Sequence, residues 1–529
     1  MKKKSIKKIT IFLLTAVFIT AFSACRKPID DVGKEAMTTQ EDVYSNEGMT
    51  DDQYMDLEYN TEEYNYTKEN AFLSAETNPF STFAADVDTA SYANIRRMIL
   101  SGERPPADAV RIEEMINYFS YDYQEPNDGE PFSVTTELSP CPWNDETELF
   151  LVGLQAKKLN TDTLPASNLV FLIDVSGSMS ESNKLPLVKR AFLLLLENLS
   201  PEDKISIVTY AASDAVVIDG ADISDKAQIM SAIENLTAGG ATHGSKGIET
   251  AYELAEKHFI SGGNNRVILA TDGDLNVGVT SEGELTRLIH KKCESGVYLS
   301  VMGFGTGNIK DNKMEALADN GNGNYSYIDT VDEARKVLVE EIGGTLFTVA
   351  KDVKLQVEFN PAVVKGYRLI GYENRVMNAQ DFSDDKKDGG EIGAGHRMTA
   401  LYEIVKVDSN YEIPETESRY GQTQTKDGGQ SPGGNEWLAV NIRYKDPDGD
   451  TSKLLTYPVD DSAFSDSMSE NMSFAAGVAQ FGMTMAESEY LGNTVLKDVA
   501  SRLKSLSCVS EDEYKEELIY LMKKYDGLQ

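Results

Sequence analysis

The chain has 529 residues, of which 41% are hydrophobic. This apolar content is enough for globular folding. The chain is too long for one compact core, so we expect two to four domains. The formal net charge of −36 argues against nucleic acid as a partner, because phosphate binding requires clustered lysine and arginine side chains.

The N-terminus carries a targeting segment at residues 1–24. Several lysines precede an apolar stretch at residues 9–21, which is too short for a spanning helix and is typical of a secretory signal peptide. Its end, Phe-Ser-Ala-Cys, resembles a bacterial lipobox, and the resemblance implies that Cys25 is lipidated. We therefore expect a lipoprotein of the bacterial cell envelope, membrane-anchored and facing outside the cytoplasm. Ordinary signal cleavage nearby is the alternative.

Residues 25–78 follow as an acidic segment rich in Asn, Thr and Tyr, without sustained periodicity. This composition predicts a flexible tether that holds the folded part away from the membrane. The alternative is that the tyrosines mark a binding segment.

Residues 79–165 combine helices with strands. Apolar residues at helical spacing predict two helices between residues 88 and 119. Residues 132–152 then read as two strands around a Ser-Pro-Cys-Pro turn.

Residues 166–345 alternate apolar strands with amphipathic helices. Strands are predicted at residues 169–173, 205–210, 267–270 and 297–304, and helices at 185–199, 226–236, 246–259 and 284–293. A capping box, Thr330 with Glu333, predicts a further helix start. Strands that are apolar throughout and separated by helices indicate an α/β fold with a doubly wound parallel sheet.

Residues 346–465 change to a period of two, typical of antiparallel strands with one face in water. Within them, the polar residues 408–435 predict a mobile loop. Residues 466–529 return to helical spacing, and Ser510 with Glu513 forms another predicted capping box.

The strands predicted before and after the parallel-sheet domain in the sequence share the same half-exposed pattern. Neither set alone makes a convincing closed sheet. Because exposed sheet edges are a liability, we expect the two sets to form one β-sandwich. The parallel-sheet domain would then be inserted in this sandwich, and the N- and C-terminal helices would flank it.

Oxygen-bearing side chains follow the predicted strands of the parallel sheet. Asp174, Ser176 and Ser178 follow the first strand, and Thr242 and Asp272 come later in the chain. Since ligands bind at the carboxyl ends of such strands, we expect these five side chains to converge. They suit a hard divalent cation, Mg²⁺ above all, with Mn²⁺ or Ca²⁺ as alternatives, and they leave a coordination position open.

This D-x-S-x-S, Thr, Asp constellation resembles the metal-ion-dependent adhesion site of von Willebrand factor A domains. The resemblance implies that Ser176, Ser178 and Thr242 bind the ion directly, and that Asp174 and Asp272 bind it directly or through water. It also implies that the sixth position takes a carboxylate from a partner.

The wider chain resembles bacterial YfbK-type lipoproteins with a von Willebrand A domain. This resemblance implies an architecture more than an activity. It rests on these stretches: 78–83 (NPFSTF), 262–266 (GGNNR), 303–307 (GFGTG), 343–347 (GGTLF), 371–375 (GYENR) and 391–396 (EIGAGH).

From these observations we expect a binding protein, not an enzyme, whose ion captures an acidic side chain of a protein or peptide partner. One alternative is a structural or assembly factor of the envelope in which the ion only stabilises the fold. A metal-dependent hydrolase is another, although no evident general base accompanies the predicted ligands.

Overall fold

The computed structural model describes residues 62–85, 88–159, 164–240, 245–273, 282–387, 389–413, 435–447 and 449–528. The predicted signal peptide, Cys25, most of the predicted tether, Thr242 and residues 414–434 of the predicted loop lie outside these ranges. Within the described ranges, no helix is both long enough and apolar enough to cross a membrane.

The helices and strands fall into three consecutive segments of the chain. The first holds β1 (Leu73–Ser74), β2 (Phe80–Ala84), α1 (Ala90–Ser101), α2 (Ile112–Asn117), β3 (Phe132–Pro140) and β4 (Glu148–Ala156). The second holds β5 (Ser167–Asp174), α3 (Leu185–Glu197), β6 (Lys204–Tyr210), β7 (Asp214–Asp222), α4 (Lys226–Glu234), α5 (Ser245–Lys257), β8 (Asn264–Thr271), α6 (Glu282–Cys293), β9 (Tyr298–Phe304), α7 (Asp311–Asn320), β10 (Tyr325–Ile328), α8 (Val331–Arg335) and α9 (Ile342–Leu346). The third holds β11 (Thr348–Phe359), β12 (Val364–Ile370), β13 (Val376–Met377), β14 (Gly390–Gly393), β15 (Arg397–Lys406), β16 (Glu436–Lys445), β17 (Ser452–Asp460), α10 (Glu470–Met485), α11 (Leu496–Lys504), α12 (Ser507–Ser510) and α13 (Glu513–Asp526).

The second segment folds around a six-stranded sheet with the order β10-β9-β8-β5-β6-β7. On the central strand β5, Leu169 and Phe171 pack on the side of α3, where the Phe171 ring stacks on that of Phe192 at 4.2 Å. Val170 and Leu172 pack on the opposite side, with α5. Burial on both faces explains the continuous apolar run of β5 and confirms the doubly wound prediction.

Two strands of this sheet escape the patterns that predict the others. The edge strand β7 runs antiparallel to β6, so the sheet is parallel only from β10 to β6. On β7 the consecutive apolar side chains Ala215, Val216 and Val217 are all exposed, so the short apolar run of this strand does not reflect burial on both faces. β10 has only four residues.

The first and third segments together form a β-sandwich. Its sheets have the orders β1-β12-β15-β4-β3 and β13-β2-β11-β16-β17. Each sheet mixes strands from before and after the α/β domain, since β4 pairs with β15 and β2 pairs with β11. Across the interface the Phe359 ring stacks on that of Tyr367 at 3.8 Å. The predicted insertion of the α/β domain into a sandwich is therefore confirmed.

Helices from both ends of the chain cover the outer face of the five-stranded sheet, as predicted. On β4, Phe150 and Val152 point into the sandwich core, whereas Leu149 and Leu151 pack with residues of α1, α2, α10 and α13. Both faces of β4 are therefore buried, which explains the continuous apolar run from Leu149 to Val152 in this antiparallel strand.

The two connections to the inserted domain lie side by side. On the entry side, Gly395 N donates to Lys157 O at 2.9 Å, and on the exit side Ala394 N donates to Phe347 O at 2.8 Å. Adjacent residues of one turn thus bond both connections, so the insertion does not separate the sandwich strands that flank it.

A buried ion-pair network joins the inserted domain to both sets of flanking helices. Arg96 of α1 pairs with Glu333 of α8 at 2.8 Å and with Asp329, just before α8. Another of its nitrogens lies 3.2 Å from Glu517 of α13. One guanidinium therefore connects elements that are more than 400 residues apart in the chain.

The predicted tether, residues 25–78, is wrong at its C-terminal end, because residues 62–78 pack on the fold. Glu62 pairs with Arg97 at 3.0 Å and accepts a hydrogen bond from Gly307 N at 2.9 Å. Further along, Phe72 is buried and β1 pairs with β12. Specific carboxylate and strand pairing therefore hold a segment whose composition alone predicts a tether.

The predicted mobile loop also begins too early at residue 408. Ile413 is buried, and the Tyr411 ring lies 4.9 Å from that of Phe72. Residues 408–413 thus belong to the folded part.

One face of β11, predicted to lie in water, is largely covered. Lys354 is fully buried, and its Nζ donates to Asp384 O at 2.8 Å and pairs with Asp352 at 3.0 Å. Gln356 donates to Ala379 O at 3.1 Å. The segment around residues 379–384 therefore closes over polar residues of this strand and satisfies them.

Candidate functional site

Asp174 ends β5 at the carboxyl edge of the inserted domain's sheet. Its side chain is fully buried, and Oδ1 accepts a hydrogen bond from Ser176 N at 2.8 Å. Its other oxygen, Oδ2, is buried and has no well-formed hydrogen bond among the described residues, and the buried Tyr210 hydroxyl lies near the same carboxyl. Because an unpaired buried carboxylate oxygen is costly, this atom is suited to an additional ligand.

Ser176 and Ser178 place two hydroxyls in the same loop, with their Oγ atoms 2.9 Å apart. Ser176 is buried and Ser178 is exposed, so the pair leads from the carboxylate toward the surface. The loop is pinned from the side, because Gly177 N donates to Gly240 O at 3.0 Å. Thr242 itself lies outside the described residues, but Gly240, two residues before it, accepts this hydrogen bond from the first loop.

Asp272 follows β8, the neighbour of β5 in the sheet, and is buried. The next residue, Gly273, has φ = +100°, and a Cβ there would lie 2.6 Å from Asn308 O. Glycine is therefore required at this turn, and it places the Asp272 loop directly against the chain around residue 308.

A buried ammonium group lies beside Asp272. Lys184, the residue before α3, places Nζ 3.3 Å from Asp272 Oδ2, and its side-chain stem packs against Gly305. The sequence patterns do not indicate this residue, because the contact joins positions 88 residues apart. A lysine ten positions after Asp174, on a loop rather than a helix face, carries no local signal.

The electrostatics connect the two carboxylates. Burial, with a smaller contribution from the negative charge of Asp272, raises the pKa of the Asp174 carboxyl to about 6. Hydrogen bonding by Ser176 acts in the opposite direction. Asp272 therefore lies close enough to Asp174 for its negative charge to disfavour ionisation of the Asp174 carboxyl.

These residues fit a hard divalent cation. The site offers two carboxylates and two hydroxyls, all oxygen donors, and one buried carboxylate oxygen lacks a hydrogen bond. Among the described residues, no group of three or more His, Cys, Asp or Glu side chains is arranged for a metal. Any ion here would thus depend on the serine hydroxyls as well as the carboxylates.

Three family models match the chain. One for the von Willebrand factor type A domain matches residues 168–340, which is the inserted domain. Another, described as von Willebrand factor, matches residues 58–151, and a third, described as the C-terminal part of the uncharacterized protein YfbK, matches residues 344–528.

Relatives extend the match to most of the chain. The uncharacterized protein YfbK of Escherichia coli K12 is 42% identical over 475 residues, covering 88% of this chain and 82% of that protein. An uncharacterized protein of Synechocystis sp. is 29% identical over 318 residues, covering 58% and 68%. A solved von Willebrand factor type A structure from Catenulispora acidiphila covers 77% of this chain and 91% of its own, with a TM-score of 0.40 and 16% identity.

Proposed function

Because the chain belongs to the family of YfbK-type proteins with a von Willebrand factor A domain, we propose that it is a cell-envelope lipoprotein that binds a protein or peptide partner. In this proposal a divalent cation, Mg²⁺ above all, sits at the carboxyl edge of the inserted domain's sheet and captures an acidic side chain of the partner. The function is binding and not catalysis.

The buried, unpaired Oδ2 of Asp174 is the observation that carries this proposal. Asp174 shares its loop with the Ser176 and Ser178 hydroxyls, which lie 2.9 Å apart, and it is within electrostatic reach of Asp272. In the proposed site Asp174, Ser176, Ser178, Thr242 and Asp272 hold the ion. When bound, the ion supplies a positive charge that attracts a carboxylate, and the neutral hydroxyls leave that charge only partly compensated.

Asp174→Ala should abolish Mg²⁺ and Mn²⁺ binding by the full chain, because it removes the most buried oxygen ligand. Isothermal calorimetry measures the binding, and thermal unfolding without metal tests whether the fold persists. Asp332→Ala is the control, because Asp332 lies in the same domain and its side chain is 80% exposed. Unchanged ion binding in Asp174→Ala would rule the site out.

The same samples distinguish binding from a purely structural role. If the ion only stabilises the fold, chelation should lower the unfolding temperature strongly and acidic peptides should not bind the loaded protein. If the ion serves capture, a peptide rich in glutamate should bind the loaded wild type and not the chelated protein. Hydrolysis of generic phosphate or peptide substrates that depends on Mg²⁺ or Mn²⁺ would favour the hydrolase alternative.

The proposed anchor is tested separately at Cys25. Replacement by alanine removes the sulfur that would carry lipid, so Cys25→Ala should release the protein from membranes or block its processing. Metabolic labelling with a fatty acid, followed by membrane fractionation, measures both effects. Cys141→Ala is a matched control, because Cys141 is a buried free thiol of the folded part. Equal labelling of wild type and Cys25→Ala would refute lipidation.

A further inference from the structure

Lys184 brings a fixed positive charge to the proposed metal site. Its side chain is only 6% exposed, and Nζ lies 3.3 Å from Asp272 Oδ2, whose side chain is fully buried. A second carboxylate, Glu181, is 3.9 Å from the same nitrogen, but the Glu181 side chain is 43% exposed and its charge is screened by solvent. Asp272 is therefore the principal counter-ion of Lys184.

The stem of Lys184 holds the ammonium in place. Gly305 lies so close that a Cβ at that position would be 2.4 Å from Lys184 Cε. On its other side, Lys184 directly precedes α3, and the backbone of Leu187 donates to its carbonyl oxygen at 2.9 Å. Packing and helix position thus keep this charge at Asp272, unlike that of a surface lysine.

This charge changes the balance of the site. Asp174 and Asp272 together could neutralise a divalent cation. With the Lys184 ammonium present, one of those negative charges is already compensated, so a loaded site keeps a net positive charge. In a buried environment such a charge interacts strongly with an incoming anion.

We propose that Lys184 sets the specificity of the site: it weakens the hold on the cation and strengthens capture of a carboxylate. This inference rests on the proposed function. It assigns the preference for an anionic ligand to a residue outside the expected ligand set, and it predicts opposite effects on the two binding steps.

Lys184→Met tests this, because methionine keeps an unbranched apolar stem beside Gly305 and removes only the charge. The full chain is titrated with Mn²⁺, and acetate is then added to the loaded protein while the relaxation of Mn²⁺-bound water is followed. We expect Mn²⁺ to bind about tenfold tighter and acetate about tenfold weaker than in the wild type.

Lys189→Met is the matched control, since Lys189 lies on α3 and its Nζ donates to Glu234 O, away from the site. A variant that only disturbs the fold would weaken both binding steps, so parallel losses in Lys184→Met would overturn the inference. Identical titrations for Lys184→Met and Lys189→Met would overturn it as well. Wild-type protein that binds no Mn²⁺ would instead refute the proposed function.

Discussion

At the scale of single residues, Asp174 links the proposed metal site to pH. Burial raises the pKa of its carboxyl from 3.8 to about 6, so between these values the folded chain binds more protons than the unfolded chain. In metal-free protein the free energy of unfolding should therefore rise as pH falls from about 7 to about 4. The contribution is on the order of 3 kcal/mol at ~1.36 kcal/mol per pKa unit. Urea unfolding in the presence of a chelator measures it.

Asp174→Asn isolates this effect, because the amide cannot titrate and the other carboxylates are unchanged. The difference between wild type and variant should vanish near pH 4 and grow toward pH 7. With saturating Mg²⁺ the wild-type trend should reverse, since protons then compete with the ion for the same oxygens. A difference that is constant across this range would contradict the assignment.

The residues of the site differ in how far the sequence reveals them. Asp174, Ser176 and Ser178 form a local motif after an apolar strand, and the structure keeps them in one loop. The alternation of strands and helices predicts a parallel sheet, but the neighbouring positions of β8 and β5, which bring Asp272 close to Asp174, come from the structure. Lys184 could not be predicted, because its role depends on the path of its side chain past Gly305.

At the scale of helices and strands, two predicted capping boxes have different outcomes. Thr330 Oγ1 accepts a hydrogen bond from Glu333 N at 3.1 Å, which confirms the predicted helix start, whereas the Glu333 carboxylate pairs with Arg96. Ser510 does not cap α13, and its hydroxyl instead donates to Ser507 O. Asp512 is the cap, with Oδ1 accepting from Tyr514 N at 3.0 Å. The carboxylate two residues later competes with the serine, and the sequence motif does not rank them.

The caps should therefore respond differently to alanine. Thr330→Ala and Asp512→Ala should each lower the free energy of unfolding by about 1 kcal/mol, because each removes a side-chain acceptor for helix-terminal N–H groups. Ser510→Ala should change it by less than about 0.5 kcal/mol. Chemical denaturation of the three variants measures the order. A larger loss for Ser510→Ala than for Asp512→Ala would contradict the observed helix start.

The strands show where pattern reading works and where it fails. Alternation identified β11 and β16 as antiparallel strands, but it also predicted water on the face that Lys354 occupies. The segment that covers this face comes from residues 379–384, which no local pattern assigns to it. Likewise, the composition of residues 62–78 predicts a tether. In the structure their carboxylates pair with arginines elsewhere in the chain, as Glu69 does with Arg368 at 3.1 Å.

At the scale of the whole molecule, Arg96 should contribute to the cooperativity with which the three segments unfold. Arg96→Met leaves Asp329 and Glu333 buried without their cation, which typically costs about 3–5 kcal/mol. Urea unfolding should show this loss, and hydrogen exchange should increase together in α1, α8 and α13. Arg335→Met is the control, because the Arg335 side chain is 52% exposed and should change stability by less than about 0.5 kcal/mol.

Loss of protection in α1 alone would mean that the network does not couple the segments.

The insertion itself could be predicted, because two half-exposed strand sets flank a self-contained α/β pattern. The ion pairs that fix the inserted domain against its host could not, since charged residues on helices usually face solvent.

The attachment of Glu62 also determines where mechanical load enters the protein. Within the part of the chain that the structure describes, a pull applied at residue 62 would act through the bonds of Glu62 to Arg97 and to the backbone of Gly307. The backbone N of the next residue, Glu63, donates to Ile309 O at 3.0 Å. The chain around Ile309 lies against Gly273, which follows Asp272. Tension applied at Glu62 would therefore act on the chain beside the proposed metal site before it acts on the sandwich strands.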